Sequence, residues 1–455
     1  MPGAADPAAR SIAQSSDRLL TEAVVVGAGE HCGGLGVVRS LGQAGVPVIV
    51  VDPEPSAPAM HSRFARRAMV AARSGPALIK DLLDLRATTA HKPVLFLTSD
   101  DAALTVSKYR ADLEASYYFR LPTHERLTAL MDKIGFQKLA ETHQFAMPRS
   151  LTIERVEDFS QLSQLRFPCV LKPSVKTDAF FQKNSFGRGY KVATSLEAET
   201  IGRLILPLVP ALVAQEWIAG DEDQIYFCLQ YRGNDGPISS FTGRKLRIWP
   251  PDVGTTASCT GASAEHTQLA ALTEKFFAAV SFVGMGGIEF KRDPRSGQFL
   301  MIEPTAGRVD WQEEVATLHG INIPLAAYLY ETGFGVPETT QAPGSIVWQD
   351  GWMQYKSARY HRGPSNRGPS DRSPSGRSPS GRSASDRSAS DVTKPLSVYD
   401  AYWRCDDPLP AIYRGFAGGM RILRRIFNRG RAEGAIPGLK RPPPGASVLR
   451  PRPRP

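Results

Sequence analysis

The sequence predicts a mixed protein, α/β over residues 21–125 and α+β over 126–335, opening on a Rossmann-like unit. Three observations predict it. TEAVVVGAG, GLGVVRSLGQAG and VPVIVVD read as strand, helix and strand, a βαβ opening. Later, GGIEFKRD alternates apolar and polar residues and is joined to a second strand, QFLMIEP, by the turn Asp293-Pro294-Arg295-Ser296-Gly297. Finally, residues 362–391 repeat a five-residue Arg/Ser unit six times with little apolar content, which predicts a disordered insert.

The hairpin is the chemical focus. Each strand carries one acid inside an apolar run, Glu289 and Glu303. Adjacent antiparallel strands can bring such acids onto one face, and a hard divalent cation such as magnesium would offset the cost of burying them together. The alternative is a hairpin with two exposed acids. Arg308 follows, a cation suited to a phosphate or carboxylate.

Composition narrows the class. The net charge is +10 and 42% of the residues are apolar, ordinary for a globular protein of about three modules. From Ile412 onward there are 11 basic residues against Glu433 alone, leaving a neutral body and a basic tail. A nucleic-acid-binding body is therefore not expected. The five cysteines are scattered without a CxxC pair, as reduced structural thiols would be. No apolar run is long enough for a spanning helix, and the first residues lack a signal-peptide core, so the expected location is cytoplasmic.

In order, residues 1–20 read as a disordered leader. The first turn, Gly27-x-Gly29-x-x-x-Gly33-Gly34, is one residue longer than a dinucleotide fingerprint; with Asp52 at the end of the next strand it is either an NAD site or a packing turn. GPALIKDLLDL is a helix and PVLFLTSDDAAL a strand ending in Ser99, Asp100 and Asp101, placed either at a ligand edge or as caps of the next helix. MDKIGFQKLAETH is an amphipathic helix with Lys133 near its start. In FPCVLKPSV, Lys172 lies within an apolar run and calls for an anionic partner. Gly187-Arg188-Gly189 is either a phosphate-closing loop or a hairpin turn. ALVAQEWIAGDEDQIYFCLQY reads as strand, turn, strand; FTGRKLRIWPP is a strand bearing Arg244, Lys245 and Arg247; HTQLAALTEKFFAAVSF is a helix.

The order of these pieces over residues 21–335 resembles the ATP-grasp superfamily: helix-borne Lys133, VLKP with Lys172, the glycine loop, QEWIAGDE, then Glu289 and Glu303. The sequence looks most similar to its D-aspartate ligase-like and carbamoyl-phosphate-synthase-like carboxylate–amine ligases, and IEPTAGRVDWQEEVA is similar to polysaccharide-associated members. The resemblance implies a Rossmann-like pre-ATP-grasp domain (21–125), a two-lobed ATP-grasp domain (126–335), and extensions at 336–361 and 392–431 flanking the insert.

The resemblance also implies roles. Lys133 and Lys172 would contact ATP phosphates under a lid of Gly187, Arg188 and Gly189. Gln215, Glu216, Trp217 and Ile218 would hold adenine, and Glu222 the ribose hydroxyls. Glu289 and Glu303, with Thr305, would ligate Mg2+. Arg308, with Lys245 and Arg244, would neutralise the transferred phosphoryl group. Thr305 stands where the family commonly has asparagine, offering a hydroxyl in place of an amide carbonyl, so a weaker second magnesium site is expected. The implied reaction activates a small-molecule carboxylate as an acyl phosphate for an amine, work of positioning and charge neutralisation. A degenerate ATP-binding regulator and an NAD-dependent oxidoreductase are the alternatives. His31, Asp100, Arg244 and Trp311 are substrate-pocket candidates that fix no substrate.

Beyond the insert, SVYDAYWRCDDPLPAIYRGF resumes folded composition. Residues 418–431 mix apolar residues with five arginines, and either lie on the inner membrane face or dock on the body. Residues 432–455 read as a disordered basic tail.

Overall fold

The structure, a computed structural model, describes residues 21–27, 32–175, 180, 189–343, 346–362 and 397–415. The expectations for the leader, Gly29, His31, Gly187, Arg188, the repeat after Arg362 and residues 418–455 lie outside the described residues.

Four parallel strands open the chain: β1 (Ala23–Val26), β2 (Val48–Asp52), β3 (Ala65–Met69) and β4 (Val94–Leu97), in the order β3-β2-β1-β4. Every residue of β1 and β2 is buried, because valine-rich runs without alternation fit a sheet covered on both faces. Helix α1 (Cys32–Gln43) covers one face; α2 (Gly75–Arg86) and α3 (Asp100–Lys108) cover the other.

The glycine turn is shorter than the spacing predicted. Gly33 and Gly34 lie inside α1, and Gly27, at φ 75°, makes the turn. Strand β3, with the sequence ARRAM, is an edge strand that apolar patterning does not reveal. Strand β4 stops at Leu97, so Ser99, Asp100 and Asp101 lie just past its end as expected, and Ser99 caps α3 by accepting the Ala102 N–H at 3.3 Å.

Helices α4 (His124–Met131) and α5 (Lys133–Thr142) lead to a small antiparallel sheet: β5 (Ser150–Ile153), β6 (Cys169–Pro173), β7 (Tyr190–Val192) and β8 (Leu212–Glu216), in the order β5-β8-β6-β7. Cys169, Leu171, Leu212 and Ala214 pack its inner face against Ile205 of α6 (Ser195–Ile205) and Phe159. The period of two turns Lys172 and Gln215 to the opposite face.

The large sheet comprises β9 (Ile225–Arg232), β10 (Pro237–Trp249), β11 (Thr255–Gly261), β12 (Gly284–Arg292), β13 (Phe299–Ala306), β14 (Ile346–Gln349) and β15 (Ser397–Asp400), in the order β13-β12-β9-β10-β11-β14-β15. Tyr226, Cys228, Ile288 and Phe290 pack against Phe276 and Phe277 of α7 (His266–Ala279). On the other face Phe227, Leu229 and Phe241 join a core with α8 (Glu314–Leu318), α9 (Ile323–Glu331) and the N-terminal sheet. Helix α10 (Gly351–Arg362) follows β14.

Strands β14 and β15 pair in parallel from Ile346 opposite Ser397, so the chain before the repeat and the chain after it are sheet neighbours. The later segment is clamped to α1. Arg39, 1% exposed, donates to Asp407 Oδ2 at 2.9 Å and to the carbonyls of Ala401 at 2.9 Å and Tyr402 at 2.8 Å. Asp407 also accepts the Ser62 hydroxyl at 2.9 Å and the Arg63 N–H at 2.8 Å. Such a buried pair is tolerable because nearly every lone pair and proton is used.

Candidate active site

The hairpin sets the site. Glu289 of β12 lies directly opposite Glu303 of β13, and Gly287 lies opposite Thr305. Side chains alternate along a strand, so Glu289, Glu303 and Thr305 share one face while Ile288 and Phe290 enter the core. Lys245 of β10, 5% exposed, reaches the same face and hydrogen-bonds the Glu289 carboxylate. Burial raises the Glu289 pKa, Glu303 and Asp310 add to that rise, and Lys245 opposes it.

Thr305 donates its hydroxyl to Asp310 Oδ2 at 3.0 Å, and Asp310 Oδ1 accepts the Trp311 N–H. Arg308 donates to Asp100 and, at 2.9 Å, to the Val309 carbonyl. Burial lowers the Arg308 pKa, but Asp100, Asp310 and Glu303 outweigh it and the net shift is upward. Asp100 thus ties the N-terminal sheet's carboxyl edge to the hairpin loop, while Ser99 does the capping.

The small sheet faces this hairpin. Lys172 Nζ donates to Gln215 Oε1 at 3.2 Å. Burial lowers the Lys172 pKa; Glu303 and Glu289 hold it up, and Lys133 and Lys245 push it down. Five charged groups from five elements therefore interact across one cleft. Lys133 is the first residue of α5, whose N-cap Asp132 accepts the Ile134 N–H at 2.8 Å. Gly189 is where backbones approach closely, since a Cβ there would meet the Leu171 carbonyl at 3.1 Å.

The hinge closes the cleft's far end. Glu216 is drawn away, its Oε1 accepting the Arg166 N–H at 2.9 Å with the Arg166 guanidinium at 3.5 Å from Oε2. The Trp217 N–H donates to the Pro168 carbonyl at 3.0 Å. Among the described residues the Ile218 N–H has no backbone acceptor. Lys191 and Lys291 lie over the Trp217 ring at 4.3 and 4.7 Å. Burial and Lys191 lower the Lys291 pKa against the pull of Asp252, Asp221 and Glu222. Glu222 Oε2 accepts the Ile248 N–H at 3.1 Å, and Oε1 lies 3.6 Å from His361 Nε2. Burial raises the Glu222 pKa, with Ile248, His361 and Arg247 opposing.

Two candidates are not brought to the cleft. Arg244 registers with Tyr226, whose side chain packs on the α7 face, opposite to Lys245. Asp52 is fully buried and held by Arg73 at 2.8 Å and the Glu54 N–H at 2.8 Å, which removes it as a ribose acid. Other cleft residues carried no signal in the motif pattern: Asp310, Lys191, Lys291 and His361. Asp310 sits inside the quoted loop, and only its contact with Thr305 marks it.

The donor set fits a hard cation. Two facing carboxylates with one hydroxyl leave further positions for phosphate oxygens and water. Among the described residues no group of three or more His, Cys, Asp or Glu side chains could hold a metal ion, so the hairpin supplies a pair rather than a closed cage.

No protein-family model matches the chain. It is similar to the formate-dependent phosphoribosylglycinamide formyltransferase of Solidesulfovibrio magneticus, 31% identical over 175 residues, 38% of this chain and 40% of that protein. It is also similar to the D-aspartate ligase of Enterococcus faecium, 22% identical over 245 residues, 51% of this chain and 57% of that protein. The aligned parts thus span about two-fifths to three-fifths of these relatives' lengths. Among solved structures, the biotin carboxylase domain of Hydrogenobacter thermophilus 2-oxoglutarate carboxylase, in complex with MgADP, ADP and bicarbonate, superposes with a TM-score of 0.55 at 13% identity, covering 71% of this chain and 72% of that one. The chain thus shares the fold of these solved structures and is similar, over part of its length, to ligases of the ATP-grasp superfamily.

Proposed function

We propose that the protein is an ATP-dependent ligase that converts a small-molecule carboxylate to an acyl phosphate and joins it to an amine, releasing ADP and phosphate. The observation that carries this reading is the cleft in which Lys133, Lys172 and Lys245 interact with the facing pair Glu289 and Glu303. A carboxylate resists attack by an amine because its leaving group is oxide; phosphorylation supplies a better one. Lys133 and Lys172 bind phosphate oxygens, and Arg308, anchored by Asp100, neutralises the transferred group. Glu289 and Glu303, with the Thr305 oxygen, would hold magnesium, which would supply positive charge to offset the charge of the transferred phosphoryl group.

At the other end, the Ile218 N–H reads the base beside Trp217, and Glu222 takes the ribose. By the resemblance, the glycine loop at 187–189 would be the lid that excludes water able to hydrolyse the acyl phosphate.

The name of the relative D-aspartate ligase supports an amino acid as one substrate. The resemblance of IEPTAGRVDWQEEVA supports a role in envelope or exopolysaccharide synthesis at a cytoplasmic location. Among the described residues no helix is long and apolar enough to cross a membrane.

The second reading is an ATP-binding regulator without catalysis. It is favoured by Thr305, which stands where the amide is expected and spends its proton on Asp310. ADP release is the test, measured over a matrix of carboxylates and amines with magnesium. The ligase reading expects at least one pair to release ADP in proportion to amide formed, with loss of both in Lys172→Ala. Nucleotide binding without turnover over that matrix favours the regulator.

A further inference from the structure

The chain's C-terminal extension reaches the nucleotide end of the cleft. Helix α10 packs along β10, with Tyr360 edge-on to Trp249 at 6.5 Å and Lys356 over the same ring at 5.9 Å. Its start is fixed by Asp350, fully buried, whose Oδ1 accepts the N–H groups of Trp352 and Met353 at 3.1 Å. Arg414, which follows the repeat in sequence, donates to Asp350 Oδ2 at 2.7 Å and lies over Tyr402 at 3.6 Å. The helix is thus held at its N-terminal end by chain on both sides of the insert. Its other end delivers His361 to Glu222.

We propose that His361 is a nucleotide-binding residue that pairs with Glu222 to grip the ribose hydroxyls, making the C-terminal extension part of the ATP site. The chemistry is complementary. Glu222 has given Oε2 to the Ile248 N–H, and its Oε1 faces His361 Nε2 at 3.6 Å, just beyond hydrogen-bond reach. A vicinal diol offers two donors and two acceptors, so one hydroxyl donates to Oε1 while the neighbouring one accepts from the imidazole N–H. His361 keeps 32% of its side-chain surface and Glu222 16%, so neither is closed off from an incoming ligand. Burial raises the Glu222 pKa, with the Ile248 N–H, His361 and Arg247 opposing. His361 is also the penultimate residue of α10, directly before the Arg/Ser repeat, so ribose binding and the repeat's anchorage share one helix end.

This inference rests on the ATP-binding reading, and the test separates the two. Titrate the full chain with MgATP and with Mg-2′,3′-dideoxy-ATP by calorimetry, as wild type, His361→Ala, His361→Gln and Glu222→Gln. Melting curves without nucleotide check that each variant is folded. The proposal expects wild type to prefer ATP by about tenfold or more, from hydrogen bonds worth about 0.5–1.5 kcal/mol each. His361→Ala lowers ATP affinity about three- to tenfold and leaves the dideoxy nucleotide unchanged, and His361→Gln, which keeps a donor, recovers most of the loss. Equal loss for both nucleotides, or an unchanged ATP preference in His361→Ala, overturns the proposal. No binding of either nucleotide to the folded wild type overturns the ATP reading itself.

Discussion

Glu289 and Glu303 face each other across one antiparallel pair, and Lys245 crosses from β10 to the first of them. Two acids this close, on a half-buried face, repel unless cations lie between or beside them. Lys245 and Lys172 supply part of that charge in the protein itself.

Removing Lys245 therefore leaves Glu289 without its cation in a poorly solvated place. Lys245→Met is expected to cost about 2–4 kcal/mol, below the figure for a fully buried pair because 22% of the Glu289 side chain stays exposed. Lys245→Met with Glu289→Gln removes both charges and recovers most of the loss. Urea melts of the two variants check this; equal destabilisation would mean that charge is not the cause.

The clamp at Arg39 holds the segment after the repeat to the first helix. Arg39→Met strands Asp407 and frees the carbonyls of Ala401 and Tyr402, at a cost of about 3–5 kcal/mol. Hydrogen exchange would report the loss as faster exchange over residues 397–415. Unchanged protection there would contradict the clamp.

Glu313 gives a pH prediction. It is 1% exposed, its Oε1 accepts no hydrogen bond among the described residues, and burial together with Asp310 pushes its pKa up to about 8. In the unfolded chain the value is about 4.3. The folded state therefore holds the proton more tightly, so stability falls as pH rises between these values, and the whole loss is present above the folded one. Glu313→Gln, which keeps the shape without the charge, is expected to match wild type near pH 4. By pH 9 it should exceed wild type by at least about 1 kcal/mol. Thermal melts across that range check it, and a difference independent of pH would contradict it.

Much of this was legible in the sequence, for definite reasons. Valine runs without alternation marked the covered parallel sheet, and one acid inside the apolar run of each hairpin strand marked the two glutamates that face each other. The strand period also separates Arg244 from Lys245, although the sequence reading grouped them as neighbouring cations. Other features depend on distant chain. Arg39 meets Asp407 across 368 residues, and β14 meets β15 across the repeat. No local pattern encodes either pairing. Lys191 and Lys291 carry no signal until both are seen over the Trp217 ring, and His361 lies in the last turn of a helix that the sequence showed only as part of an extension.

The central claim is that the hairpin acids hold a cation that binds ATP to this chain. Its most direct measurement is the thermal shift of the full chain with ATP, with and without magnesium, for wild type, Glu289→Ala and Glu303→Ala, with NAD as comparator. A ligand at about 100 times its dissociation constant adds roughly 2.7 kcal/mol, enough to move the melting point visibly. The account predicts stabilisation of wild type by magnesium and ATP together, collapsing in both variants. Equal stabilisation by ATP without magnesium, or a shift that survives in both variants, would contradict it.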